Sequence, residues 1–258
     1  MKNIHPTAIV NPEAKLGENL SVGPYAIIEG NVEIGNDCVI GPHAGIYSGA
    51  RIGDRVKIFQ GASVANHPQD LKYAGEEAIF IVGDDTVVRE FVTLHKGTKD
   101  TGKSQVGKNC LLMAYSHVAH DCYVGDNCIL ANAVQVGGHC HIEDFVIVGG
   151  STPVHQFTII GQHSMIAGGI RIVQDVPPFI LAANLPAEYG GLNVIGLRRR
   201  GFKNEDILIL KEVYSLIYSK SYNVSQAVEI IKEKYGDNIY VQKVLDFLTR
   251  SKRGIVGK

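Results

Sequence analysis

Between Leu111 and Val124 the chain reads LLMAYSHVAHDCYV, which sets His117, His120 and Asp121 within five residues. Imidazole accepts and releases protons near neutral pH, and an adjoining carboxylate can hold it in one tautomer. Further on come GGH at 137–139 and VHQF at 154–157. They contribute His139, His155 and Gln156, together with Gly138, whose peptide N–H no side chain covers and which could receive an oxyanion. These are the parts of a proton-transfer site, if the fold gathers them.

A short repeat decides whether it does. An Ile, Leu or Val stands at every sixth residue from Ile4, Val10 and Leu16 through to Val64, in phase again at Val82, Val88 and Leu94, and from Val106 to Ile172. Gly often follows the aliphatic residue, as at Gly17, Gly35 and Gly125, and a small or apolar residue stands four places after it, as at Ala8, Ala26 and Cys38. A fixed period of six predicts a solenoid, and neither an α-helix nor a sandwich strand has that period. The expected fold is mainly β: a parallel β-helix shaped as a triangular prism, with one hexad per face and 18 residues per coil. The aliphatic residue points inward, the small residue fills beside it and the glycine eases the corner. The domain reading is a prism over 1–190 with projecting loops at 65–81 and 95–105, then a helical domain over 191–258. Residues 173–202 read as an irregular connection. Three amphipathic helices follow, on the stripes Ile207/Leu210/Tyr214/Ile217, Val224/Val228/Ile231/Tyr235 and Val241/Val244/Leu248, with Ser225 as an N-cap and Gly236 as a stop. This tail would close the open end of the solenoid.

Residues 18 apart stack at about 4.8 Å, the inter-strand spacing. Gly138 therefore falls over His120, with Gln156 beyond it, and His139 falls over Asp121. His155 stands two coils from Ala119, in the neighbouring column. His120, Asp121, His139, His155 and Gln156 share one patch, with His117 close by and none at an inward position. An acid beside His120 and an amide in its column suit hydrogen bonding better than zinc ligation, so no metal and no cofactor are expected. Cys38, Cys110, Cys122, Cys128 and Cys140 all occupy the small inward position and read as core filling rather than nucleophiles.

The formal net charge of −1 and the 20% of charged residues give no global attraction to nucleic acid or membrane. No apolar run approaches the roughly 18 residues of a membrane span, and the start has no apolar leader region. The expectation is a cytoplasmic protein without stable membrane insertion.

The motifs NHPQDLKYAGE (66–76), LLMAYSHVAHDC (111–122), GGH (137–139), VHQF (154–157), QDVPP (174–178) and GLRRRGF (196–202) resemble those of the acyl-carrier-protein–UDP-N-acetylglucosamine O-acyltransferases that begin lipid A synthesis. The likeness spans nearly the whole chain. It implies left-handed coiling and a homotrimer with active sites between subunits, fed by acyl carrier protein and UDP-N-acetylglucosamine. It also implies His120 as general base, Asp121 as its orienter and the Gly138 N–H as oxyanion donor. His117, His139, His155 and Gln156 would line the sugar-nucleotide and acyl sites, Asp70 and Lys72 would meet the sugar or its diphosphate, and Arg199 would lie near the nucleotide and carrier-protein site. Gly168, in a stretch of small residues, would leave room for a long hydroxyacyl chain. Arg198, Arg199, Arg200 and Lys203 form a basic cluster for the acidic carrier. Where family members often have Asn before the Ala-His pair, Tyr115 and Ser116 precede His117 here, which leaves the sugar less determined than the chemistry. Two alternatives share the repeat: a coenzyme A-dependent acetyltransferase, and an N-acyltransferase on a UDP-amino sugar, whose members carry an N-terminal uridine-binding domain for which hexads starting at Ile4 leave no room.

Overall fold

A computed structural model describes residues 2–257. Strands of mostly two residues recur every six, as at Ser21–Val22, Ile27–Ile28 and Glu33–Ile34. They assemble into three sheets of 11, 8 and 8 strands, all parallel except for one closing antiparallel pair. Each sheet is one face of the prism. The first contains Leu111–Leu112, the second His117–Val118 and the third Tyr123–Val124. Ser21 pairs with Val39, Ile27 with Gly45 and Lys15 with Glu33, so a coil is 18 residues.

The second residue of each strand is the inward one. Val22, Ile28, Ile34, Ile40, Leu112, Val118 and Val136 are all buried, and they stack like on like through the prism. Complete burial of such a side chain contributes about 1.5–3 kcal/mol, which makes the repeated aliphatic column the main source of stability. Ile4 is exposed, and Val10 and Leu16 only half-buried, because the first coil has a neighbour on one side only. The five cysteines are free and buried, and each thiol donates to the carbonyl fifteen residues on, as from Cys110 to Gly125 and from Cys122 to Gly137, both at 3.1 Å.

The corners are made differently from the sequence expectation. The left-handed backbone lies three residues after the inward aliphatic, and mostly on residues other than glycine: Asn19, Asp37, Asp121 and His139 have φ of 54°, 58°, 57° and 59°. The glycine directly after the aliphatic serves close stacking instead. A Cβ on Gly17 would lie 2.5 Å from the carbonyl carbon of Gly35 on the next coil.

Two segments leave the lattice, within narrower limits than expected. Strands Ser63–Asn66 and Ile79–Val82 confine the first to 67–78, and strands Thr93–His95 and Lys103–Val106 confine the second to 96–102. Register shows the insertion directly, since Lys57 pairs with Val87 and Thr93 with His117, separations of 30 and 24 residues. The connection at 173–202 is more ordered than the sequence suggested. It holds strands Ile180–Ala183 and Glu188–Leu192 and helix α1, Val194–Arg199. Helices α2 (Asn204–Ile217), α3 (Val224–Tyr235) and α4 (Ile239–Arg250) follow on the expected stripes. The cap of α3 is Asn223, in a capping box with Gln226, rather than Ser225, and Gly236 ends that helix. Asp175 fastens the tail to the prism: its buried carboxylate accepts Ile159 N–H, the Ser251 hydroxyl and the N–H groups of Lys252 and Arg253.

Candidate active site

Strand His117–Val118 belongs to the second face, and the chain then turns the corner to the third face through His120 and Asp121. Because the corner residue must take the left-handed conformation, Asp121 is held in a fixed orientation with its side chain fully covered. Its Oδ2 accepts a hydrogen bond from His120 Nδ1 at 2.8 Å and another from the Thr98 hydroxyl at 2.8 Å. Its Oδ1 accepts Thr98 N–H at 2.9 Å and the Thr101 hydroxyl. Burial pushes this carboxyl up, but hydrogen bonds from Thr101, His120 and Thr98 more than offset it and hold it at about 2. Asp121 is thus a carboxylate throughout the neutral range and can only accept. The proton on His120 must sit on Nδ1, which leaves Nε2 as the basic nitrogen.

That nitrogen meets bare backbone. A Cβ at Gly138 would lie 2.8 Å from both Cε1 and Nε2 of His120, so the imidazole edge fits only because residue 138 has no side chain. Gly137 donates to Val154 and His139 to His120, while the N–H of Gly138 between them has no partner among the described residues. A ring nitrogen that can take a proton and a peptide N–H that can hold an anion thus stand side by side. His139 crosses the His120 ring edge-on at 5.1 Å and lies flat on Phe157 at 4.5 Å. Its Nε2 is 3.8 Å from Asp121 Oδ2. Ligand atoms of His120, Asp121 and His139 all fall within 4.8 Å of one another, which is close enough for a metal ion.

His117 bonds the Thr93 hydroxyl through Nδ1 at 2.8 Å and packs edge-on against His95 at 5.0 Å. Burial, and next the neighbouring His120, lower its affinity for a proton. Burial, with His117 and His120 secondary, lowers His95 to about 4. His155 stands further along the prism and gives its Nδ1 to the Gln156 carbonyl at 3.0 Å. Gln156 is exposed beside Gly137. Asp70 and Lys72 lie in the 67–78 loop at this same corner, where Asp70 Oδ1 accepts Lys72 N–H at 3.0 Å.

Gly168 and Arg199 are not brought to this corner within one chain. Gly168 follows strand Met165–Ile166 of the first face, so it sits where the first and second faces meet, packed over Gly150. Arg199 is exposed at the end of α1, which is anchored where the third face meets the first: Asn193 donates to the His163 carbonyl and Arg200 lies over Phe145 at 5.2 Å. Arg200 is half-buried with Nη1 unpartnered among the described residues, so it is not part of an exposed basic cluster.

Thr98 and Thr101, which fix Asp121, and His95, which backs His117, were not singled out from sequence. The loop length breaks the 18-residue count, so the lattice could not place 96–102 over Asp121. Glu76 strengthens that placement by tying the two loops together, accepting N–H groups from Ala74 and Lys99.

Known proteins resemble this chain from end to end. Residues 175–256 match the family described as UDP N-acetylglucosamine O-acyltransferase, domain 2, and residues 13–48, 31–66 and 103–138 match the bacterial transferase hexapeptide. The acyl-carrier-protein–UDP-N-acetylglucosamine O-acyltransferase of Thiobacillus denitrificans is 42% identical over 257 residues, 99% of this chain and 100% of that protein. This chain belongs to that family. Its counterpart from Myxococcus xanthus is 43% identical over 256 residues, 99% of each chain. The solved UDP-N-acetylglucosamine acyltransferase of Bacteroides fragilis is 41% identical and superposes with a TM-score of 0.96 over 98% of this chain and 99% of that one. The family's left-handed β-helix with a helical C-terminal part is the fold of this O-acyltransferase family member. No helix among the described residues is long and apolar enough to cross a membrane.

Proposed function

We propose that this family member transfers an (R)-3-hydroxyacyl group from the thioester of acyl carrier protein to the 3-hydroxyl of UDP-N-acetylglucosamine, the first step of lipid A synthesis, in the cytoplasm. The observation that carries the mechanism is the lock between His120 Nδ1 and an Asp121 ionised throughout the neutral range, which leaves Nε2 basic beside the Gly138 N–H. Nε2 takes the proton of the sugar hydroxyl as its oxygen attacks the thioester carbonyl, a role worth roughly 10²–10⁴ in rate. The carbonyl oxygen becomes an oxyanion, which the Gly138 N–H holds. Collapse of the tetrahedral intermediate forms the ester, breaks the C–S bond and returns the proton from His120 to the departing thiolate. No acyl-enzyme is needed: the five thiols are buried in the prism, each donating to a backbone carbonyl.

The active unit is a homotrimer. Asp70, Lys72, His117, His120, Asp121, His139, His155 and Gln156 share one corner of a prism, whereas Gly168 and Arg199 sit at the other two. A substrate that touches all of them must lie between neighbouring prisms, each lending a different corner. Gly168 and its small neighbours then border the acyl chain of a long hydroxyacyl donor, and Arg199 meets the nucleotide or carrier. The test is mass spectrometry of products from mixed hydroxyacyl carrier proteins, acetyl-coenzyme A and a panel of UDP-sugars. A single 3-O-hydroxyacyl UDP-N-acetylglucosamine is expected. Acetyl transfer from coenzyme A, or an amide formed only with an amino sugar, would replace this reading by one of the alternatives.

A further inference from the structure

We propose that the catalytic corner is also a binding site for a zinc-like divalent cation, and that its occupancy abolishes the base. Three ligand atoms converge at this corner, His120 Nδ1, Asp121 Oδ2 and His139 Nε2, all within 4.8 Å of one another, and Asp100 Oδ2 approaches His139 from the solvent side. Asp121 Oδ2 is 2.8 Å from His120 Nδ1 and 3.8 Å from His139 Nε2, and His139 Nε2 is 3.9 Å from Asp100 Oδ2. In a tetrahedral zinc site with bonds of about 2.0–2.1 Å, ligand atoms stand about 3.3 Å apart. The two contacts of Asp121 Oδ2 straddle that value, and a swing of the exposed Asp100 side chain would bring in the fourth ligand. Asp100 is the solvent-facing member, with its side chain 61% exposed, while Asp121 is fully covered and His120 is 14% exposed. The cation therefore enters from the Asp100 side onto a preformed floor.

The surroundings behave as an outer shell. The Thr98 hydroxyl stays on Asp121 Oδ2, Thr98 N–H and the Thr101 hydroxyl hold Oδ1, and Phe157 fixes the His139 ring by stacking. Such partners orient metal ligands and raise their affinity. Two imidazoles and two carboxylates select zinc, cobalt or nickel over magnesium and calcium, which favour all-oxygen sites.

The consequence for catalysis is a matter of tautomers. A cation on Nδ1 takes the lone pair that the Nδ1 proton covers, so that proton moves to Nε2. A neutral His120 then carries its hydrogen where the acceptor hydroxyl's proton must go, and it can no longer act as a base. Binding itself does not depend on the acyl-transfer reading, whereas loss of turnover does.

The experiment titrates the full-length metal-free protein with zinc by calorimetry and with cobalt by its visible d–d bands, alongside Asp100→Asn and His139→Gln. One site per chain is expected, with tetrahedral cobalt bands, weakened about 10-fold in Asp100→Asn and at least 100-fold in His139→Gln. Unchanged stoichiometry and affinity in both variants would overturn the site by placing the cation on other histidines; so would the absence of a site at micromolar zinc. In the turnover assay, zinc should inhibit reversibly, with relief by a chelator. Asp100→Asn should raise the half-inhibitory zinc concentration about 10-fold while leaving metal-free kcat/KM unchanged. Site occupancy with turnover intact would leave the site standing and overturn His120 as the base.

Discussion

Gly138→Ala tests the fit between the base and the next coil. The new Cβ would lie 2.8 Å from Cε1 and Nε2 of His120, where ordinary contact begins at 3.4 Å, so the ring must retreat by at least 0.6 Å. Residue 138 carries no left-handed φ, so alanine costs little in the backbone itself. The ring cannot simply slide back, because Nδ1 is fixed to Asp121 at 2.8 Å and Asp121 is held by Thr98 and Thr101. It must tilt, turning Nε2 away from the space next to the Gly138 N–H. Misplacement approaching 1 Å costs up to about 10²-fold, so kcat/KM should fall about 10- to 100-fold, or ~1.4–2.7 kcal/mol of transition-state stabilisation. The assay is steady-state transfer from hydroxyacyl carrier protein, with Tm and oligomeric state measured in parallel. Wild-type kcat/KM in a correctly folded Gly138→Ala protein would refute the placement of Nε2 against this backbone.

Thr98→Val removes the hydroxyl donor on Asp121 Oδ2, and Thr101→Val the donor on Oδ1; both should raise the carboxyl from about 2, and kcat should drop several-fold with KM little changed. Because that carboxyl is depressed when folded, it stabilises the protein above the ordinary value of 3.8, and this contribution is lost as pH falls towards about 2. Denaturant melts across that range should show a smaller loss in the threonine variants. His95 and His163 are both lowered by burial from 6.5 to about 4, so the unfolded chain takes up their protons first. Stability should decline as pH falls from 6.5 to 4, by up to about 3 kcal/mol per histidine, and His95→Gln should flatten that decline. Asp175→Ala strands three backbone N–H groups and a hydroxyl between tail and prism, and should cost about 3 kcal/mol by denaturant titration.

What could be read from the sequence was whatever obeys the lattice. The inward Val118 and Val136 fix the coil, and counting from them sets Gly138 over His120 and His139 over Asp121, as the His139-to-His120 backbone hydrogen bond requires. Corner geometry escaped, because the third residue after the aliphatic takes the left-handed turn whatever its type, and at Asp121 and His139 that structural position also carries the functional side chain. Thr98 and Thr101 escaped because insertions have no register, and His95, the last residue of strand Thr93–His95, because it reads as the start of that insertion. The cap at Asn223 was missed for a local reason: Ser225 is also a capping type, and only the reciprocal bond with Gln226 separates them. The proposed contacts between corners of different prisms are not written in one chain's periodicity at all, and on that proposal Gly168 and Arg199 acquire meaning only through a neighbour.

On the proposed mechanism His120 removes the acceptor proton directly, without an acyl-enzyme. Single-turnover transfer from radiolabelled hydroxyacyl carrier protein to UDP-N-acetylglucosamine, compared between wild type and His120→Ala, measures it most directly. A fall of at least about 10²-fold in the variant, with folding and assembly intact and no label retained on either protein, is the expected result. Near-wild-type transfer by His120→Ala, or label held covalently on the wild-type chain, would contradict it.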